Sequence, residues 1–516
     1  MQQSQSKQQV GGILGFIERI GNKIPDITTL FISAFLLVCV VSAVLAQIHF
    51  NYVHPATGRP IEITNMLSGK ALVDLMSKMV TNYANFPPLS MVIVATLGIG
   101  IADGSGYINT GLKKILSITP KVLITPVVIL VGMLSHLGPD SGYVIIIPIA
   151  AYMFYAVGKH PLAGIAASFA GIAGAFAANY TPSAIDPVIQ GFTQSAAQII
   201  DPGYQVNVLC NYFYAFASTF IVIGACWWVT EKITNPWLWK ACPLDDDLDL
   251  GNENNSSITP SENRAFKIAT AVLLLMLTGL AAALYPADSI LRAPDGVIAS
   301  FKAPIMQSIV SLIFIFAALV GLVYGIACGK FKSPKDVTAA MEEITKTLVQ
   351  LIVFYFFAAQ FLYAFGASNM GALIAVSGAE FLKSLNLPPQ VTVFGIIVFV
   401  ALLNLIITSA SAKWAILAPI FVPMLMAVGI APELTQVAFR VSDSAVNVVT
   451  PMFAFYPLII LYCQKYVKNA GIGTLSSMML PYTIALLVSL TFMLYLFWWL
   501  DIPLGFQADY VYPRRF

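Results

Sequence analysis

Four clusters of polar residues interrupt apolar stretches of this chain, and their residue types suit ion and carboxylate binding more than bond-making chemistry. One is Arg440-Val441-Ser442-Asp443-Ser444, followed by Asn447 and Thr450-Pro451. Arg440 and Asp443 stand three apart, so they share a helix face and can form an ion pair. Alternatively, the planar guanidinium forks onto a substrate carboxylate. Another is Asn179-Tyr180-Thr181-Pro182-Ser183-Ala184-Ile185-Asp186-Pro187, where Pro182 and Pro187 bracket a segment that cannot continue a helix and frees carbonyl oxygens. A carboxylate at membrane depth costs about 2.5–3.5 kcal/mol on insertion scales. Asp186 is therefore expected to pair, take a proton, hold a cation, or cap the half-helix after it. The other two clusters read as turns, Ser135-His136-Leu137-Gly138-Pro139-Asp140-Ser141-Gly142 and Thr408-Ser409-Ala410-Ser411-Ala412-Lys413-Trp414. A helix starting at such a turn offers N–H donors and a positive dipole end to an anion; a purely structural turn is the alternative. Asn404, just before the second turn, adds an oxygen for a bound cation. His136 is the one histidine near either turn, and a hydrogen-bonded histidine outweighs a proton relay there.

The elements that must hold these clusters are membrane helices. The 516 residues are 58% hydrophobic and 10% charged, with mean hydropathy +0.80. Soluble domains carry about 25% charged residues, so a soluble enzyme and a disordered chain are excluded. The net charge of +2, spread between apolar runs, indicates no nucleic-acid surface. No CxxC occurs, so neither a disulfide framework nor a zinc site is indicated. Without a nucleophile, base and acid constellation, a membrane hydrolase is disfavoured, and no P-loop supports direct ATP drive.

Apolar runs of about 20 residues mark spans, and lysine and arginine in short loops mark the cytoplasmic side. Lys7, Arg19 and Lys23 place the N-terminus inside; Lys113, Lys114, Lys121 and Lys159 place both ends of 121–159 inside as well. A segment starting and ending on one side is a re-entrant hairpin. The arrangement satisfying every loop is an all-α membrane protein with nine transmembrane helices, 27–48, 83–102, 162–195, 206–229, 266–286, 305–327, 347–366, 434–464 and 475–500. One hairpin, 121–157, enters from inside and another, 391–429, from outside. A cytoplasmic segment 1–26 precedes the single transmembrane domain 27–500, and a tail 501–516 follows, ending outside. The loop around Asp245, Asp246, Asp247 and Asp249 reads as a solvated connector.

The chain repeats itself. Tyr143, Pro148, Ala156-Val157-Gly158 and Pro161 recur 271 residues on as Trp414, Pro419, Ala427-Val428-Gly429 and Pro432. Pro120 with Val122, and Thr181-Pro182, recur at an offset of 269 as Pro389 with Val391 and Thr450-Pro451. Repeat 1 covers about 83–229 and repeat 2 about 347–500. Five spans lie between the hairpins, an odd number, so the repeats are expected to be inverted, each with a broken helix. Inverted repeats with broken helices are the signature of secondary transporters, whose sites form where the broken helices meet.

Ser-x-Ser-x-Lys-Trp-Ala-Ile-Leu-Ala-Pro-Ile-Phe-Val-Pro (409–423), Phe-Arg-Val-Ser-Asp-Ser (439–444), Ala-Val-Gly-Lys-His-Pro (156–161) and Glu-Arg-Ile-Gly-Asn-Lys (18–23) resemble the p-aminobenzoyl-glutamate transporter (AbgT) family over nearly the whole chain. The resemblance implies a homodimer in the bacterial inner membrane with nine spans and two hairpins, embedded in membrane lipid. It implies transport of small aromatic carboxylates of the folate pathway: import of p-aminobenzoyl-glutamate, or export of p-aminobenzoate-like antimetabolites with sulfonamide resistance. A dicarboxylate or other organic-anion carrier is the alternative; Trp414, a ring-stacking residue, favours an aromatic. By motif, substrate-binding positions fall on Asp186, Ser411, Trp414, Pro432, Arg440, Asp443 and Pro451, and the sodium-coordinating asparagine on Asn404. No cofactor is implied, only a coupling ion, Na+ or H+, with sodium expected at Asn404, Asp186 and Asp443. The chain departs from the family pattern in Lys413, beside the tryptophan, and in the prolines around Asp186.

Overall fold

A computed structural model of the chain describes residues 25–53, 58–135, 141–183, 185–245, 258–298, 300 and 302–513. His136 and the rest of 136–140, Asp246, Asp247, Asp249 and the basic residues of the N-terminal segment lie outside the described residues. Among the described residues every named element is a helix. Seven helices are long and apolar enough to cross a membrane, or eight if a bent pair is one span. The expected spans 162–195 and 434–464 are not among these seven, because each is a broken stretch of two short helices.

Helix ends follow local chemistry. Asp26 caps Ile27–Leu45, its carboxylate accepting from the backbone N–H groups of Thr28 and Thr29. Pro260 opens Pro260–Leu284 behind a Thr259/Glu262 capping box, and Pro87-Pro88 fill the first turn of Pro87–Ser105, where a missing N–H costs nothing. Among the helices in stretches that long apolar runs leave as loops are Gly69–Ala84 and Pro334–Lys346. Both are amphipathic, so a search for such runs passes over them.

The same order of elements occurs twice. Pro87–Ser105, Tyr107–Ser117, Lys121–Leu134, Ser141–Ala156, Pro161–Phe169, Ile185–Ala197 and Tyr212–Val229 are answered by Val349–Ala367, Met370–Ser384, Pro389–Asn404, Ala410–Met426, Pro432–Val446, Tyr456–Gln464 and Ile472–Trp499. Backbone geometry repeats with them. Gly158 and Gly429, equivalent at offset 271, have φ of 78° and 87°, and both sit between the second arm of a helix pair and the broken stretch. Only glycine adopts such angles cheaply. Met370–Ser384, expected as part of the link to the second hairpin, is a helix bent 117° from Pro389–Asn404.

The repeats interlock. Ala410–Met426 packs along Ile185–Ala197, and Tyr212–Val229 along Ile472–Trp499, so each repeat supplies a wall to the other. Pro87–Ser105 meets Ile309–Ala327 almost backbone to backbone: a Cβ on Gly98 or on Gly321 would fall 2.5 Å from the Cα of Phe314 or Ala102. Small residues permit that approach where lipid leaves no hydrophobic drive between helices. The tail folds back on repeat 2, with Tyr512 N–H donating to the Gly429 carbonyl at 2.9 Å and Ala431 N–H to that of Tyr510 at 3.1 Å.

Candidate functional site

Both predicted breaks exist. Pro161–Phe169 loosens through a π-helical turn, Ala170–Gly174, and non-helical chain carries it to Ile185–Ala197. Pro432–Val446 ends at Asn447, and irregular chain leads to Tyr456–Gln464. Thr450 and Pro451 fall inside the second break; Pro451 stops helical bonding there because it has no N–H. Pro432 is buried at the first helical position of its half-helix.

Two buried ion pairs hold the breaks. Arg440 Nη1 lies 2.7 Å from Asp186 Oδ1, and Arg440 Nη2 donates to the Phe176 carbonyl at 3.3 Å. The guanidinium also stands 5.8 Å from the Phe176 ring centre. Asp186 turns its second oxygen to the N–H and hydroxyl of Ser183, at 2.7 and 3.1 Å. The carboxylate thus ties the start of its own half-helix and neutralises an arginine from the other repeat.

The second pair joins Lys413 Nζ and Asp443 Oδ1 at 2.6 Å, with neither side chain exposed. The same ammonium donates to Asn404 Oδ1 and, at 3.1 Å, to the Ile407 carbonyl. Asn404 in turn donates from Nδ2 to the Asp443 carbonyl at 2.8 Å and to Asn447 Oδ1 at 3.1 Å. The expected Arg440–Asp443 pair is therefore not formed, although the two share a helix. Asp443 is taken by an ammonium from helix Ala410–Met426, and Arg440 reaches across to the first broken stretch. Asp186 and Asp443 consequently serve different cations instead of sharing one. The expected sodium site does not fit these residues: Asp186 is engaged by Arg440, while Asn404 and Asp443 already enclose the lysine. Among the described residues no group of three or more His, Cys, Asp or Glu side chains gathers for a metal.

Trp414 is fully buried. Its ring stacks on Phe439 at 4.4 Å, and its N–H donates to Thr193 Oγ1 at 2.8 Å. The Thr193 hydroxyl donates to Gln436 Oε1 at 2.6 Å, and Gln436 donates to Asn211 Oδ1 at 2.7 Å. In this conformation the indole has no accessible face for a ligand ring. It locks helix Ala410–Met426 to helix Ile185–Ala197.

A cavity of about 410 Å³ lies between the described ends of the first helix pair and the link that joins Pro389–Asn404 to Ala410–Met426. Ser135, Gly142 and Tyr143 line it from the first pair, Thr408 to Ser411 from the second, and Asp443 and Asn447 from the second broken helix. Phe176, Phe453 and Phe455 supply apolar wall, and Tyr143 stacks on Phe455 at 4.2 Å and 7°. The helix Ala410–Met426 begins here, with Ser409 as its cap. Its first N–H groups and three hydroxyl side chains make a place for an anion beside aromatic surface.

Of the residues singled out from the sequence, Ser411 and Asp443 line this cavity. Asn404 bonds Asp443, Asp186 and Arg440 pair beside the lining residues Ile185 and Phe176, and Pro451 lies in the break two residues before Phe453. Trp414 is turned onto Phe439 and Thr193, and Pro432 stands at the far end of its half-helix from Asp443, so neither reaches the cavity. Sequence reasoning missed Tyr143 and the phenylalanines as the aromatic wall. The repeat held a signal, since Tyr143 is the counterpart of Trp414. It also marked Lys413 only as a departure, not as the partner of Asp443.

The model of the AbgT transporter family matches residues 12–512. The p-aminobenzoyl-glutamate transport protein of Escherichia coli K12 is 32% identical over 511 residues, covering 99% of this chain and 98% of that protein. The solved structure of MtrF from Neisseria gonorrhoeae, described as illuminating a class of antimetabolite efflux pumps, is 39% identical with a TM-score of 0.90, covering 96% of this chain and 100% of that one. The YdaH transporter of Alcanivorax borkumensis is 37% identical with a TM-score of 0.87, covering 93% and 100%. These matches span nearly the whole sequence, and the chain belongs to the AbgT family: it is a multi-pass membrane transporter, not an enzyme.

Proposed function

We propose that this transporter is a secondary, ion-coupled carrier of small aromatic carboxylates of the folate pathway, p-aminobenzoyl-glutamate or p-aminobenzoate-like antimetabolites. The observation that carries the reading is the cavity between the two helix pairs. Its volume of about 410 Å³ falls within the roughly 300–1,000 Å³ of small-molecule sites, and it offers an aromatic wall beside a helix N-terminus. A benzoyl ring would lie along Tyr143, Phe453 and Phe455, and a carboxylate at the N–H groups and hydroxyls of Ser409 and Ser411. Arg440 and Asp186 would position the walls by bridging the two broken stretches. The relatives' substrates point the same way, since one is named for p-aminobenzoyl-glutamate transport and another for antimetabolite efflux.

The same reading takes nine crossings, counting the two broken stretches as spans, and two re-entrant helix pairs in inverted repeats, in a bacterial inner-membrane homodimer with a cytoplasmic N-terminus. Single cysteines at Lys232 and Asp295 are expected to label from opposite faces of the membrane; labelling from one face overturns the topology.

The test of function is flux of radiolabelled p-aminobenzoyl-glutamate and p-aminobenzoate in proteoliposomes under imposed ion gradients, with succinate as competitor. Gradient-driven flux of an aromatic carboxylate, reduced at least about tenfold in Tyr143→Ala (~1.4 kcal/mol of lost binding), is expected. Flux of succinate without flux of either aromatic would make the protein a dicarboxylate carrier instead.

A further inference from the structure

Lys413 stands in the first turn of helix Ala410–Met426, where the helix dipole disfavours a positive charge, and none of its side chain is exposed. An ammonium so placed persists only if its surroundings are built for it. They are. Three oxygens of three chemical kinds converge on Nζ: the Asp443 carboxylate at 2.6 Å, the Asn404 amide, and the Ile407 carbonyl at 3.1 Å. The Phe439 ring adds its face at 5.7 Å.

Each oxygen is itself set in place. Ile407 lies in the unwound link between Pro389–Asn404 and Ala410–Met426, so its carbonyl is not consumed by a helix. Asn404 is oriented by the two hydrogen bonds its Nδ2 donates, to the Asp443 carbonyl and to Asn447 Oδ1, which turn its oxygen toward the lysine. A carboxylate, an amide oxygen and a free carbonyl are the hard ligands that a small inorganic cation takes in proteins. The ammonium donates hydrogen bonds to Asn404 and Ile407 and meets Asp443 as an ion pair. The equivalent position in repeat 1 is Gly142, so repeat 1 brings no lysine to its own turn.

We infer that Lys413 is the resident cation of this oxygen cage: its ammonium occupies the place of a bound monovalent metal ion, and the wild-type protein takes no sodium between Asn404 and Asp443. The cage is a cation site closed by the chain's own tethered charge. The inference does not depend on which substrate is carried, and its test reads ion binding instead of flux.

The test uses the purified full-length protein in detergent. Saturable binding of radiolabelled sodium and the melting temperature are measured in sodium chloride against choline chloride at equal ionic strength. The wild type is expected to show no saturable sodium binding at this site and no sodium-specific shift in melting temperature. Lys413→Ala leaves the cage one positive charge short. It is expected to bind sodium saturably, to melt several degrees higher in sodium than in choline, and to lose both effects when Asn404→Ala is added. A Lys413→Ala protein recoverable only in sodium supports the inference equally. Lys413→Met with Asp443→Asn, which removes both charges, is expected to fold and to ignore sodium. Saturable sodium binding by the wild type that Asn404→Ala abolishes overturns the inference whatever the variants do. So does a folded Lys413→Ala protein that is indifferent to sodium.

Discussion

Replacing Arg440 tests which of two nearby carboxylates it serves. Asp443 is three residues away on the same helix, yet the contact is with Asp186 at 2.7 Å, from the other repeat. Arg440→Ala leaves that carboxylate buried without its counter-charge, a change that typically costs about 3–5 kcal/mol. Asp186 retains two hydrogen bonds from Ser183, so the loss belongs at the low end, about 3 kcal/mol. A double-mutant cycle separates the partners. The coupling of Arg440→Ala with Asp186→Ala is expected at about 2–3 kcal/mol, the worth of a charge-assisted hydrogen bond in a buried site. The coupling of Arg440→Ala with Asp443→Ala is expected below about 1 kcal/mol, because Asp443 is already neutralised by Lys413. Denaturant titration of the purified variants in detergent, monitored by tryptophan fluorescence, measures both. A coupling to Asp443 equal to or larger than that to Asp186 refutes this pairing.

Three other outcomes are expected. Trp414→Phe should cost about 1–2 kcal/mol of stability, from the lost hydrogen bond to Thr193 and the lost ring volume, with substrate Kd unchanged; a raised Kd at full stability would return the indole to the binding surface. Gly429→Ala, at φ 87° with the nearest neighbour 3.6 Å from the added carbon, should cost about 1–2 kcal/mol by backbone strain alone, measured by thermal melting against Gly158→Ala as its repeat counterpart. His160, between the first helix pair and the broken stretch, accepts from Leu162 N–H at Nδ1 and contacts the Cys242 carbonyl through Nε2 at 2.8 Å, so it is held neutral, and burial pushes its pKa below the ordinary imidazole value. Its stabilising contribution is present above about pH 6.5 and is lost as the pH falls through the depressed value, so His160→Asn should flatten the fall in melting temperature between about pH 7 and 5; an unchanged slope refutes that reading.

Much of this architecture is written in local chemistry. Long apolar runs with capping residues at their ends force helices of membrane length, and no tertiary contact is needed to decide that. The prolines at 182 and 451 remove backbone donors wherever the chain goes, so both breaks were legible. Pro187, expected to bound the first break, falls instead in the first turn of Ile185–Ala197, where a missing N–H costs nothing. The 271-residue offset identified the duplicated elements because equivalent turns demand the same glycines and prolines. Amphipathic helices such as Gly69–Ala84 escaped, since their apolar face gains meaning only from what packs on it.

The pairing of charges was another matter. Sequence proximity places Arg440 beside Asp443, and an i, i+3 rule favours that pair in an isolated helix. In the folded protein the choice passed to residues 186 and 413, 254 and 30 positions distant along the chain; the interlocked repeats bring the first, and the packing of elements within repeat 2 the second, within 2.7 Å of their partners. Trp414 shows the same limit: its type suits a ligand ring, but only the packing of Ala410–Met426 against Ile185–Ala197 turned it onto Phe439 and Thr193 and left Tyr143 to face the cavity. Composition and periodicity decide which groups must be buried. Which buried charge meets which partner is decided by three-dimensional proximity, because desolvated ions take the nearest complement, whatever the separation along the chain.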